Sequence, residues 1–299
     1  MKGPVFTANP EGKLRVQVQT PRKNTEVIVV IGAGGIGMAI ARRQGFGKHI
    51  LLADFNETLL ETAAQGLERA SYKVSSRKVD VSSRDSVRAL ADEAASLGSV
   101  MQVINTAGVS PNMAPPDRIL AVDLYGSAVV FEEFGRVIAP GGAGLIVSSM
   151  AGHMSSPLPP EQERDLAFAP ADDLMKKPFL APGVVPDSMV AYILSKRANQ
   201  LRVQATSIAW GKRGARVNSI SPGIIATPLA QHELNSPIGD VYRAMIEASP
   251  AKRMASPDEV AVASSYLLGP DAGFVTGSDL LIDGGVIAAM RAGLLPSPA

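Results

Sequence analysis

The chain contains no cysteine, and its 299 residues include only three histidines, His49, His153 and His232, no two of them near each other. The first absence excludes disulfides, thiolate metal sites and a cysteine nucleophile. It is compatible with a reducing compartment. The second leaves little for a histidine-rich metal site, and no histidine stands in the setting of a Ser-His-Asp triad. No uninterrupted apolar stretch reaches the roughly 20 residues that cross a bilayer. Residues 1–24 are polar, broken by Pro4, Pro10 and Pro21, and lack the apolar segment of a secretory signal. Neither sign of charge dominates: 29 basic residues face 28 acidic ones, so there is no electrostatic case for nucleic acid or an anionic membrane as partner. A 46% hydrophobic content is enough for a large core. The expectation is a soluble, cytoplasmic globular protein with a loosely docked arm over residues 1–24 and one domain over 25–299.

From Glu26 onward short apolar runs alternate with helical patterns. Strands are expected at Val27–Ile31, Ile50–Ala53, Tyr72–Val79, Val100–Ile104, Leu145–Ser148, Arg216–Ile220 and Leu280–Ile282. Helices are expected at Glu57–Arg69, Ser83–Ser96, Ile119–Ile138, Met189–Trp210 and Pro257–Leu268. Alternation with continuous apolar strands predicts a single doubly wound α/β domain, a seven-stranded parallel sheet covered on both faces. Two long segments interrupt the rhythm, 153–188 and 227–256. Loops of that length in a compact domain carry function or are disordered, and both begin at carboxyl ends of strands, where such sheets bind ligands.

Gly32-Ala33-Gly34-Gly35-Ile36-Gly37 follows the first strand and opens the first helix. In that context Gly-x-Gly-x-x-Gly is a dinucleotide loop. Its glycines let the backbone approach a pyrophosphate, and the helix N-terminus presents free N–H groups to the anion. Asp54 and Phe55 end the second strand. Two roles are open to Asp54: to bind the ribose hydroxyls of NAD and repel the extra phosphate of NADP, or to cap the helix that starts near Asn56. Arg42 and Arg43 read as solvated surface.

Tyr192 and Lys196 are four apart and share a helix face. A phenol, with a pKa of about 10, is a poor base at neutral pH. A neighbouring ammonium stabilises the phenolate and makes an acid/base catalyst of it. Ser149, at the end of an apolar strand, supplies a hydroxyl able to hold a substrate oxygen.

Taken in order, these motifs resemble the short-chain dehydrogenase/reductase family over about residues 25–290. To the glycine loop are added Asp80-Val81, Asn105-Thr106-Ala107-Gly108, the serine strand ending at Ser149, the Tyr192–Lys196 pair, Pro222-Gly223-Ile224-Ile225-Ala226-Thr227, and Asp283-Gly284-Gly285. The resemblance implies a Rossmann-type fold and NAD(H)-dependent interconversion of a secondary alcohol and a ketone. Tyr192 would exchange the proton with the substrate oxygen, Lys196 would lower the tyrosine pKa and hold the nicotinamide ribose, and Ser149 would orient the substrate. Ile225 and Thr227 would fix the carboxamide and pyrophosphate beside Pro222 and Gly223. Asp80 and Val81 would bracket the adenine, with Asn105, Ala107 and Gly108 along the adenosine. It also implies a homodimer or homotetramer built on the helices Ile119–Ile138 and Met189–Trp210. A non-catalytic NAD-binding regulator and an NAD-retaining epimerase or lyase share the fold.

The chain departs from the family pattern in four places. The glycine loop is one residue short, with Ile31 where a threonine stands; Thr106 replaces an asparagine. Asp123 occupies the place of the asparagine in the catalytic tetrad. Two readings stand beside each other there: a negative charge that favours the charged form of Lys196, or a tolerated substitution. Finally, 43 positions separate Ser149 from Tyr192. This lid-like insertion is similar to the one in bacterial 3α-hydroxysteroid dehydrogenase/carbonyl reductase. Its Met154, Leu158, Phe168, Met175 and Phe179, with Leu229, Ile238 and Met245 of the second segment, suit a hydrophobic alcohol or ketone. Asp172-Asp173 and Lys176-Lys177 read as a solvated helical face, and Trp210 as core or interface.

Overall fold

The computed structural model describes residues 5–8, 14–17 and 25–295. Within the N-terminal arm, β1 (Val5–Ala8) and β2 (Leu14–Gln17) form an antiparallel pair. The remainder of the arm lies outside the described residues.

The main domain runs β3 (Glu26–Ile31), α1 (Gly35–Gln44), β4 (His49–Asp54), α2 (Glu57–Arg69), β5 (Lys73–Lys78), α3 (Arg84–Leu97) and β6 (Ser99–Asn105). It continues through α4 (Pro116–Ile119), a π-helical turn (Leu120–Gly126), α5 (Ser127–Gly135) and β7 (Ile138–Val147). The strands pair all-parallel in the order β5-β4-β3-β6-β7, completed by β8 (Arg216–Pro222) and β9 (Asp279–Ile282). The chain winds outward from β3 through β4 to β5, then returns to β6 on the other side. A crevice therefore opens at the carboxyl ends of β3 and β6, the usual ligand site of such sheets.

Period-two alternation makes the two layers. In β3, Ile28 and Val30 join Met38, Leu60 and Val260 in one apolar cluster, while Val27, Val29 and Ile31 face Val87, Leu90, Phe134 and Leu194 in the other. Trp210 is in this second core, 1% exposed. Its indole N–H donates to the Phe131 carbonyl (3.1 Å) and its ring meets Phe131 edge-on at 6.4 Å.

The expected helix Ile119–Ile138 is not continuous. It is divided by the π-helical turn and stops at Gly135, and Ile138 already pairs with Val100 as the first residue of β7. The insertion is not an open loop either. It holds α6 (Pro160–Phe168) and α7 (Ala171–Leu174), and Leu166, Leu174 and Leu180 are buried under it. After the insertion comes the 24-residue α8 (Ser188–Gly211), N-capped by Asp187. The insertion is anchored to the body by polar groups as well. Arg202 of α8 donates to the Ala169 carbonyl (2.8 Å), Arg197 pairs with Glu163 (2.6 Å), and Ala171 N–H donates to Glu132 (2.7 Å). Asp172 is exposed as expected and also accepts from Arg84 (3.0 Å) and Tyr125 (3.1 Å), and Asp173 and Lys176 pair at the surface (2.8 Å). Residues 227–256 likewise contain α9 (Pro228–Leu234) and α10 (Gly239–Ala248). Helices α11 (Pro257–Leu268) and α12 (Val286–Arg291) complete the domain.

Candidate active site

The glycine loop turns at the end of β3 as its sequence requires. Gly32 has φ +103°, and a Cβ on Gly37 would lie 2.0 Å from the Gly32 carbonyl oxygen, so neither position tolerates a side chain. Gly34 faces open space and caps α1 without a side-chain acceptor, leaving the first N–H groups of that helix available to an anion. The residue missing from the loop is compensated by its neighbours. Thr106 Oγ1 donates to the carbonyls of Ile31 (3.0 Å) and Gly32 (3.1 Å). Asp54 accepts from Ala33 N–H (2.7 Å) and from Asn56 N–H (2.8 Å). Asn56 itself, not Asp54, caps α2. A carboxylate has about four acceptor sites, so Asp54 keeps capacity for ribose hydroxyls.

Phe55 is exposed beside Asp54, with the Lys78 ammonium and the Arg118 guanidinium 5.9 and 5.7 Å from its ring centre. Asp80 accepts from Ser82 and lies 3.8 Å from Arg118; Val81 is buried against Gly126. Asn105 is buried and accepts from Ala107 N–H (3.2 Å). Across the crevice β8 ends in Pro222, Gly223 packs on Asp283, and Ile225 bridges to Ala255. Thr227 caps α9, and its methyl lies 3.2 Å from where a Gly35 Cβ would be. Glycine loop and Thr227 thus form the two lips of one groove, which suits a dinucleotide.

The π-helical turn carries Asp123. Such single-turn distortions gather at functional sites because they re-aim side chains. Asp123 is fully buried, accepts from Val109 N–H (2.8 Å), and places its other oxygen 3.1 Å from Lys196 Nζ. Gly108 leaves room for this pair: a Cβ there would stand 3.2 Å from both. Lys196 in turn lies 5.2 Å from the centre of the Tyr192 ring. Ser149 caps the short turn Met150–His153 and faces the tyrosine.

Burial pushes the Tyr192 phenol above its usual range. Lys196 and the Ser149 hydroxyl oppose that, and the charge of Asp123 adds to it. Lys196 meets burial, which disfavours its charge, but Asp123 and Tyr192 outweigh it and raise its pKa. Asp123 is raised by burial, with Lys196 and Val109 opposing. Tyr192, Lys196 and Asp123 are one coupled unit.

Sequence reasoning missed the support behind Ser149. Gln200 donates to the Ser149 carbonyl (3.3 Å) and to Ser221 (3.1 Å), Ser221 and Ser219 donate to Asp279, and His153 lies 2.7 Å from the same carboxylate. His153 therefore braces the turn that follows Ser149. Its position four residues after the serine was the available signal.

Tyr192, Lys196, Asp123 and Ser149 line a cavity of about 390 Å³ that reaches Ile36, Thr106 and Thr227 on the nucleotide side and Met154, Met189, Leu229 and Met245 on the other. Two polar groups that sequence reasoning did not single out share it. Ser110 is buried with its hydroxyl unpartnered among the described residues. Glu233, 7% exposed, is set in α9 one turn after Leu229 and Ala230; a carboxylate at apolar helical spacing was the legible sign.

A doubly wound parallel sheet carries this groove at its carboxyl edge, with Ser149, Tyr192 and Lys196 beside it, and comparison with known proteins gives the family. The profile described as short chain dehydrogenase matches residues 26–160, and that described as enoyl-(acyl carrier protein) reductase matches residues 179–287. The chain is 43% identical over 262 residues to the short-chain dehydrogenase/reductase bsc3 of Alternaria brassicicola, covering 87% of this chain and 95% of that one. It is 29% identical over 209 residues to the 3-alpha-hydroxysteroid dehydrogenase/carbonyl reductase of Comamonas testosteroni, covering 68% and 79%. A short-chain type dehydrogenase/reductase from Mycobacterium ulcerans superposes with a TM-score of 0.70 at 21% identity, covering 89% and 90%. The chain belongs to the short-chain dehydrogenase/reductase family, and it is an oxidoreductase of the alcohol/ketone type.

Proposed function

We propose that this protein interconverts a secondary alcohol and a ketone with NAD(H), using Tyr192 as the acid/base group. The observation that carries the reading is the convergence of Ser149, Tyr192 and Lys196 in one cavity that also opens onto the glycine-loop groove. In the oxidative direction Ser149 holds the substrate oxygen and Tyr192, as phenolate, takes its proton. Lys196 holds that phenolate and reaches a bound ribose; Asp123 holds Lys196 in place. Bound NAD would supply the hydride acceptor, with the glycine loop at its pyrophosphate, Asn105 along its adenosine and Ile225–Thr227 at its carboxamide and pyrophosphate. In the reductive direction Tyr192 gives the proton back.

Asp54 supports NAD over NADP, because its charge and its place beside the glycine loop disfavour a 2′-phosphate. Lys78, the one strand cation opposite Asp54, is engaged by Glu57 at 2.8 Å. Among the described residues no helix is long and apolar enough to cross a membrane. We infer a homo-oligomer whose contact avoids the outer face of α5 and α8, since the insertion packs there.

A panel of secondary alcohols and ketones, steroids included, followed by NADH absorbance tests the reading. NAD-linked turnover of members of the panel supports it; binding of NADH without turnover of any would point to a non-catalytic regulator.

A further inference from the structure

The proposed substrate cavity is walled mainly by Met150, Met154, Met189, Leu229, Ile238 and Met245. Two acidic residues line the cavity, Asp123, which is engaged by Lys196, and Glu233. Glu233 is 7% exposed and lines the cavity from α9. Lys196, the lysine that shares the cavity, is engaged by Asp123, and no ion pair joins Glu233 among the described residues. Two phenols share the cavity with it. Tyr242 of α10 lines the same wall, and burial together with the Glu233 charge raises the Tyr242 pKa. Tyr192 and Ser149 line the cavity too, so Glu233 faces the space in which the substrate must lie.

A carboxyl group in an apolar wall is costly unless its oxygens are hydrogen-bonded. Tyr242 has a single O–H it could donate, and a carboxyl group offers more acceptor sites than that. Glu233 lines the space the substrate fills. A donor on the substrate completes its hydrogen bonding. A hydroxyl is far cheaper to desolvate than an ammonium, and an ammonium would enter a cavity that already holds Lys196.

We propose that Glu233 is a specificity-determining residue that accepts a hydrogen bond from a second hydroxyl of the substrate, so that the preferred substrate is an apolar molecule bearing a hydroxyl next to the reacting carbinol. This rests on the alcohol-oxidising reading above and refines the expectation of a purely hydrophobic alcohol. A site built to hydrogen-bond a hydroxyl rejects an analogue lacking it far more strongly than an apolar pocket rejects a missing methylene.

The test uses the full-length enzyme with NAD and two matched pairs: cyclohexanol against 1,2-cyclohexanediol, and 1-tetralol against 1,2-dihydroxytetralin, each diol as separate cis and trans isomers. The wild type is expected to favour a diol by kcat/KM. In Glu233→Leu that preference falls by about 100-fold, and Glu233→Gln, which keeps a carbonyl acceptor, retains part of it. The change appears in the diol-to-alcohol ratio, which a loop that merely packs worse would leave unmoved. Equal use of both members of each pair, or an unchanged ratio in Glu233→Leu, overturns the assignment while leaving the dehydrogenase reading intact. Preference for 2-aminocyclohexanol over the diol overturns the hydroxyl in favour of an ammonium. Turnover of none of these compounds, alongside activity on other ketones, also counts against it, whereas no activity on any alcohol or ketone removes the reading beneath it.

Discussion

Replacing Asp123 by asparagine keeps the shape of the side chain and removes its charge, so it separates the electrostatic part of the tetrad from the geometric part. Lys196 Nζ lies 5.2 Å from the Tyr192 ring centre and 3.1 Å from an Asp123 oxygen. At an effective dielectric of about 20, the attraction between Lys196 and a phenolate charge at the ring centre is about 3 kcal/mol. Asp123 can be no farther from the ring centre than those two distances combined, about 8 Å, so its opposing repulsion is at least about 2 kcal/mol. Removing that charge favours the phenolate and lowers the apparent tyrosine pKa. The rising limb of kcat/KM for alcohol oxidation should move to lower pH, as the loss of about 2 kcal/mol of repulsion requires. The falling limb for ketone reduction should move the same way, because that direction needs the protonated phenol. The assay is a pair of pH–rate profiles, in both directions, for wild type and Asp123→Asn. Superimposable profiles, or a shift to higher pH, would refute the claim that the aspartate charge opposes the phenolate.

Asp54→Ala should lower the preference for NAD over NADP, measured as a ratio of kcat/KM values, and should also loosen the glycine loop, because Ala33 N–H loses its acceptor; an unchanged ratio contradicts the cofactor assignment. Trp210→Ala should cost about 3–5 kcal/mol of unfolding free energy in urea, since a fully buried ring and its hydrogen bond to Phe131 go together. Glu133 is 2% exposed; burial opposes its charge, but hydrogen bonds from Arg88, Arg136 and Arg84 win and hold its carboxyl at about 2. A folded pKa depressed in this way stabilises fully above the unfolded value of 4.5 and loses that stability as pH falls toward 2. The thermal midpoint of the wild type should therefore fall over that interval more steeply than that of Glu133→Gln.

Much of the fold was legible because its signals are local. Apolar runs such as Val27–Ile31 and Ile50–Ala53 could only be buried strands once glycines and helical spacing intervened, and the seven strands stand in their expected places. The site motifs were legible for the same reason, each being contiguous in the chain. What escaped is set by tertiary contacts. The break at Leu120–Gly126 depends on Val109 N–H reaching Asp123 and on Gly126 packing against Val81, neither of which a periodic pattern reveals. Ile138 continues the apolar spacing of α5, yet pairing with Val100 makes it strand. Asp172 is the exposed charge that the sequence suggests, but its partners, Arg84 and Tyr125, are distant in sequence and could not be read from it. Glu233 was overlooked because only its spacing from Leu229 and Ala230 marks it, and its burial in the cavity wall depends on tertiary packing.

The central claim is that the Tyr192 hydroxyl carries the proton of the reaction while taking no part in holding the nucleotide tightly. Tyr192→Phe removes that one oxygen from a half-buried ring. The direct measurement is kcat for the best alcohol found in the panel, together with the NADH dissociation constant from fluorescence titration. The account predicts a fall in kcat of about 1,000-fold or more with NADH binding unchanged within a factor of a few. Turnover near the wild-type rate in Tyr192→Phe would contradict it.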